Sequence, residues 1–85
     1  MEIKILRNFT KNETKKIEQL ITELGNTKGA KTLAKDINKW FYRGEIYPKE
    51  EEHFIHWCND PREARKKSRD ITKQISEIIF GHTFD

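Results

Sequence analysis

Hydrophobic residues recur at helical spacing along most of the chain, and the residues between them mark where each helix starts and stops. The first run follows the i, i+3, i+4, i+7 pattern of one helix face: Ile17, Leu20, Ile21 and Leu24. Thr10 and Glu13 have the spacing of a capping box, and Gly25 is a common helix terminator. The pattern predicts a first helix at about residues 11–24.

A second helix is predicted at about residues 28–42, before the stop at Gly44. At 100° per residue, its apolar positions share about a third of the circumference: Ala30, Leu33, Ala34, Ile37, Trp40 and Phe41. The opposite side is basic, and Arg43 extends it past the helix end: Lys28, Lys31, Lys35 and Lys39. One face is therefore expected to pack against protein and the other to face water.

Proline marks the start of two further helices. Pro48 fits the first position of a third helix that ends near Asn59, with Glu50–Glu52 at the positive end of its dipole. Asp60-Pro61-Arg62-Glu63 has the cap pattern of a fourth helix that runs to about Phe80. Basic residues cluster on the side of that helix opposite its isoleucines: Arg62, Arg65, Lys66, Arg69 and Lys73.

Near the amino terminus, Ile3 and Ile5 flank Lys4 with a period of two, which predicts a short strand. A lone strand leaves backbone groups unpaired. Three partners remain open: residues 44–47, the tail at Thr83 and Phe84, or a second copy of the chain in a homodimer.

Together these elements predict a mainly α protein, a compact four-helix domain with a short N-terminal β-strand, formed as one small domain by residues 1–85. The predicted core is Ile3, Ile5, Ile17, Leu20, Ile21, Leu24, Leu33, Ile37, Trp40, Phe41, Phe54, Trp57, Ile71, Ile75 and Ile78.

Composition excludes several classes of protein. Of the 85 residues, 34% are hydrophobic and 36% are charged, against about 25% charged in an average domain. We expect no membrane span and no secretory signal, because no apolar run is long enough. A single cysteine, Cys58, excludes an internal disulfide framework and favours the reducing cytoplasm. So short a chain rarely encloses a deep substrate cleft, which favours a non-enzymatic role.

The charge is unevenly distributed, with a formal net charge of +3. Basic residues concentrate in the second helix and the first half of the fourth, and acidic residues in the third. If the two basic rows shared a surface, a phosphate backbone would bind across them. Arg62, Arg65 and Arg69 would then make the most directed contacts, since guanidinium groups suit phosphates and base edges. Two alternatives stay open: an ordinary solvated face and a surface for an acidic protein.

Other candidate chemistry is less well supported by the sequence. His53, His56 and Cys58 lack the paired spacings of a structural zinc site, so we expect no metal or cofactor and a small buried Cys58. Aromatic residues at Trp40, Phe41, Tyr42 and Tyr47 resemble a stacking platform for single strands. Trp40 and Phe41 lie on the apolar face and are expected in the core, whereas Tyr42 lies off that face.

Three functional hypotheses follow. The first is a non-enzymatic DNA- or RNA-binding module, a small regulator of the phage or mobile-element type, to which the AT-rich residue choice points. The second is a small inhibitor or adaptor that docks on another protein, for example by blocking a nucleic-acid-binding enzyme. The third is a toxin-like ribonuclease.

Overall fold

The computed structural model describes residues 3–82 and residue 84. Four helices and a two-stranded antiparallel sheet follow one another in the order β1 (Lys4–Ile5), α1 (Lys11–Gly25), α2 (Lys31–Arg43), β2 (Glu45–Ile46), α3 (Pro48–Cys58), a 3₁₀ turn (Glu63–Arg65) and α4 (Lys66–Phe80). The predicted mainly α fold with four helices and a short N-terminal strand is confirmed.

The start of α1 is the predicted capping box. The Thr10 hydroxyl accepts from the Glu13 backbone N–H at 3.1 Å, and the Glu13 carboxylate accepts from the Thr10 N–H at 3.0 Å. Arg7 also donates two hydrogen bonds to that carboxylate. The bonds from Arg7 and then from the Thr10 backbone lower the pKa of Glu13 to about 2. Local side-chain chemistry therefore determines where α1 begins.

The second helix begins three residues later than predicted. Gly29 adopts a φ of +83°, in the left-handed region that suits glycine, and the Ala30 N–H donates to the Thr27 carbonyl at 3.1 Å. Lys28 therefore lies in a turn and not on the helix. From Lys31 to Arg43 the helix is unbroken, and its buried residues are those of the predicted apolar face: Leu33, Ala34, Ile37 and Trp40.

The start of the fourth helix also differs from the prediction. The Asp60 carboxylate accepts from the backbone and guanidinium of Arg62. Arg62 itself is extended, with φ −69° and ψ 132°, so no helix begins at Pro61. The chain instead makes the 3₁₀ turn before α4 begins at Lys66. Asp60 and Pro61 are therefore part of a connection between α3 and α4.

The sheet pairs Lys4 with Ile46 and Ile5 with Glu45, which identifies residues 44–47 as the strand's partner. Thr83, in the alternative tail, lies outside the described residues. Opposite residues in an antiparallel pair share a face of the sheet. Ile46 is 1% exposed, and Lys4, opposite it on the same side of the sheet, is itself exposed. Ile3 and Ile5 lie on the other side and are 50% and 80% exposed. Their prediction as core residues was wrong.

The register predicts a contrast between the two strands. Ile5→Thr should change the free energy of unfolding by less than about 0.5 kcal/mol, as surface substitutions usually do. Ile46→Val should cost about 0.5–1.5 kcal/mol because it removes a buried methyl group. Urea unfolding followed by circular dichroism measures both, and equal losses would contradict the register.

The core lies between the four helices. α1 packs against both α2 and α4, and α3 packs against α4. Trp40 of α2 meets Phe54 of α3 with ring centroids 5.8 Å apart. In order of contact, the helices around the core are α2, α1, α4 and α3. Phe41, Trp57 and Ile78, predicted to be core residues, are only partly buried at its edge.

Candidate nucleic-acid interface

Three lysines line the outward face of α2: Lys31, Lys35 and Lys39, hereafter the lysine row. All three are exposed, on the side of the helix opposite its buried residues. A helix rises about 1.5 Å per residue, so neighbouring lysines of the row are about 6 Å apart along the axis. Within the described part of the chain, the row makes no ion pair or hydrogen bond. Its charges are available to an external anion.

Arg43 was predicted to extend this row, but it binds within the protein. Its guanidinium donates to the Glu45 carbonyl at 2.8 Å, pairs with the Glu50 carboxylate and lies 4.3 Å from the Tyr47 ring centroid. The bond to Glu50 raises the pKa of Arg43. Arg43 therefore joins α2 to the acidic start of α3.

Arg62 and Arg69 bind the connection between α3 and α4. Arg62 pairs with Asp60 at 2.5 Å, and this hydrogen bond, reinforced by the Arg62 backbone, holds the pKa of the Asp60 carboxyl well below its usual range. Arg69 donates to the Asp60 carbonyl at 2.5 Å. Both guanidinium groups are therefore bound to a loop of the protein itself.

Arg65 packs against two other elements. Its guanidinium lies 4.3 Å from the Trp57 ring centroid, a cation–π contact. It also borders the turn before α2, where a Cβ added to Gly29 would lie 3.8 Å from the Arg65 Cζ. Nη1 of Arg65 is buried without a hydrogen-bond partner among the described residues. The guanidinium thus fills a junction between helix ends.

The remaining predicted contact residues lie on the turn before α2 and on α4. Lys28 is exposed on the turn, Lys66 is exposed at the start of α4, and Lys73 is half-buried. The outward face of α4 also carries the exposed Asp70 and Glu77. The two basic rows approach each other at the start of α2, where Arg65 lies against the turn that contains Lys28.

Tyr42 adds an aromatic ring to the row. It is 59% exposed, as its position off the apolar face predicts, and follows Lys39 by three residues on the outward side. Its hydroxyl donates to the Glu18 carboxylate of α1, which raises the pKa of Tyr42. Its ring meets Phe41 edge-on, with centroids 5.2 Å apart. Trp40, by contrast, is buried as predicted.

A separate open groove of about 750 Å³ runs along α3 and the connection that follows it. His53, His56, Trp57 and Arg65 contribute to its lining. Among residues 3–82 and 84, no three His, Cys, Asp or Glu side chains are grouped so as to hold a metal ion. Cys58 is buried beneath α4, in agreement with its prediction as a small core residue.

None of the helices in the described chain combines the length and apolarity that crossing a membrane requires. Comparison with protein-family models, with curated proteins and with solved structures found no match to this chain.

Proposed function

We propose that this protein is a non-enzymatic nucleic-acid-binding module that contacts the phosphate backbone through the lysine row. The observation that carries the proposal is the difference between the two kinds of cation. The arginines of the chain all contact protein groups, whereas Lys31, Lys35 and Lys39 face water without a partner in the described structure.

This difference supports backbone contact without base recognition. Lysine acts as a point charge for phosphate, whereas the common base-specific contact is a bidentate arginine. An engaged arginine has to break its internal contacts before it binds a base. We therefore expect weak dependence of affinity on sequence and strong dependence on salt. A small cytoplasmic regulator of the phage or mobile-element type, supported by residue composition alone, fits such a module.

The salt dependence of binding tests the proposal. If each lysine neutralises one phosphate, the slope of log K against log salt is about −2.7 for a duplex and about −2 for a single strand. K31Q/K35Q/K39Q should remove most of this slope and weaken binding roughly tenfold or more at low salt. Fluorescence anisotropy with labelled oligonucleotides, between about 50 and 200 mM salt, gives both quantities.

A dispersed triple variant is the matched control. K16Q/K49Q/K67Q removes the same charge from exposed positions on three other helices and should keep most of the slope. Equal losses in the two triples would show that net charge alone matters. Absence of binding to DNA and RNA at low salt would refute the proposal. RNA cleavage by the wild-type protein that is lost in His53→Ala or His56→Ala would favour the ribonuclease hypothesis.

The outward face of β1 favours protein docking as a second candidate function. The Leu6 N–H donates to the Gly44 carbonyl at 2.9 Å. Hydrogen-bonded and non-hydrogen-bonded pairs alternate along an antiparallel pair of strands, so the N–H and C=O groups of Ile5 point away from β2. Among the described residues no third strand pairs with β1, so its outer edge and the exposed Ile5 side chain suit an added strand from another protein or a second copy. One stoichiometric protein partner, retained after nuclease treatment and lost in Ile5→Lys, would support this candidate.

A further inference from the structure

Resting on the proposed nucleic-acid-binding function, we infer that the ligand is a single strand and that Tyr42 stacks on one of its bases. Two features of α2 support the inference: the single line of exposed lysines and the exposed Tyr42 ring near its end.

The lysine row is one residue wide, and acidic groups lie near its Tyr42 end. Glu18 binds the Tyr42 hydroxyl. At the end of α2, Arg43 donates to the Glu45 backbone carbonyl and pairs with the Glu50 carboxylate. A row this narrow accommodates one phosphate backbone.

Tyr42 offers the other contact that a single strand needs. Proteins that bind single strands without sequence preference combine a basic track with aromatic rings on which bases stack. The ring of Tyr42 is held by Glu18 at its hydroxyl and by the Phe41 ring, so little conformational freedom is lost when a base stacks on it. Bases in a duplex are already stacked on one another and leave this ring without a partner.

One group at this site opposes phosphate binding. The Glu18 carboxylate that positions Tyr42 also repels phosphate. We therefore place the base over the ring and the backbone along the lysines, away from α1. This arrangement assigns Tyr42 to base contact and the lysine row to backbone contact, and the two contributions are separable by experiment.

The experiment compares three fluorescein-labelled probes: a 12-nucleotide DNA strand of mixed sequence, its duplex, and a strand of equal length whose sugars lack bases. Wild-type protein should bind the mixed single strand most tightly. Tyr42→Leu should weaken that binding roughly tenfold, as loss of one stacked base does, and leave the duplex and abasic probes unchanged. Tyr42→Phe keeps the ring and should stay within about threefold of wild type.

Each outcome separates the two proposals. Equal wild-type affinity for single strand and duplex, with a neutral Tyr42→Leu, would overturn the stacking inference and leave the proposed function intact. Loss of affinity for the abasic strand in Tyr42→Leu would show that Tyr42 supports the backbone contact, which also overturns stacking. No binding to any probe would refute the proposed function itself. Thermal unfolding of each variant verifies that the fold is retained.

Discussion

Phe54→Ala is expected to destabilise the protein by about 3–5 kcal/mol, as removal of a fully buried aromatic ring does elsewhere. Phe54 is 0% exposed and contacts the rings of Trp40 and Phe80, at centroid distances of 5.8 and 5.3 Å. Alanine would leave a cavity where α2, α3 and α4 meet. Domains of this size have total stabilities of about 4–13 kcal/mol, so this single change removes a large share.

Urea unfolding and calorimetry measure this loss. Phe9→Ala is the matched control, because Phe9 is only partly buried and contacts Phe41 at the edge of the core. Its cost should be clearly smaller than that of Phe54→Ala. Equal costs would mean that the Phe54 contacts do not organise the core. If Phe54→Ala does not fold, Phe54→Leu should remain folded and show a smaller loss in the same direction.

Trp40 connects the Phe54 packing to the orientation of the lysine row. It lies on the buried face of α2, the helix that carries the row, and packs directly against Phe54. The rotation of α2 about its axis, and hence the direction of the lysines, depends on that packing. If the proposed nucleic-acid binding holds, folded Phe54→Leu should therefore show the wild-type salt slope, measured by fluorescence anisotropy.

Local chemistry explains why most helices were predictable. Thr10 and Glu13 satisfy each other's backbone groups, and Pro48 starts α3, whatever the rest of the chain does. The predictions that were wrong depended on contacts with residues far away in the sequence. Alternation shows that Ile3 and Ile5 share a face, but only the register with Ile46 determines which face points inward.

The same distinction applies to the candidate interface. The exposure of Lys35 and its neighbours follows from helical phase, which sequence alone provides. The engagement of the arginines does not, because their partners come from other elements: Glu50 begins α3 and Trp57 ends it. The prediction that Arg62, Arg65 and Arg69 share one helix face required a helix that begins at Pro61. In the structure α4 begins at Lys66, so only Arg69 of the three lies on it.

The buried face of α4 contains a polar stripe whose tight packing the sequence did not reveal. Ser68, Thr72 and Ser76 are all fully buried, at spacing i, i+4, i+8. Each hydroxyl donates to a carbonyl of the preceding turn: Arg65, Ser68 and Lys73 respectively. Their hydrogen bonds are thus satisfied locally, and their small size lets another helix approach. Cys58 at the end of α3 lies 3.9 Å from the Ser76 hydroxyl.

Ser76→Leu should therefore destabilise the protein by about 1–3 kcal/mol, because the larger side chain overpacks the contact between α3 and α4. Ser76→Ala, the matched control, removes only a local hydrogen bond and should cost less than about 1.5 kcal/mol. Urea unfolding of both variants measures the difference. A leucine tolerated as well as alanine would contradict close packing at this position. A large loss in both would instead indicate that the hydroxyl, and not its small volume, matters to the contact with Cys58.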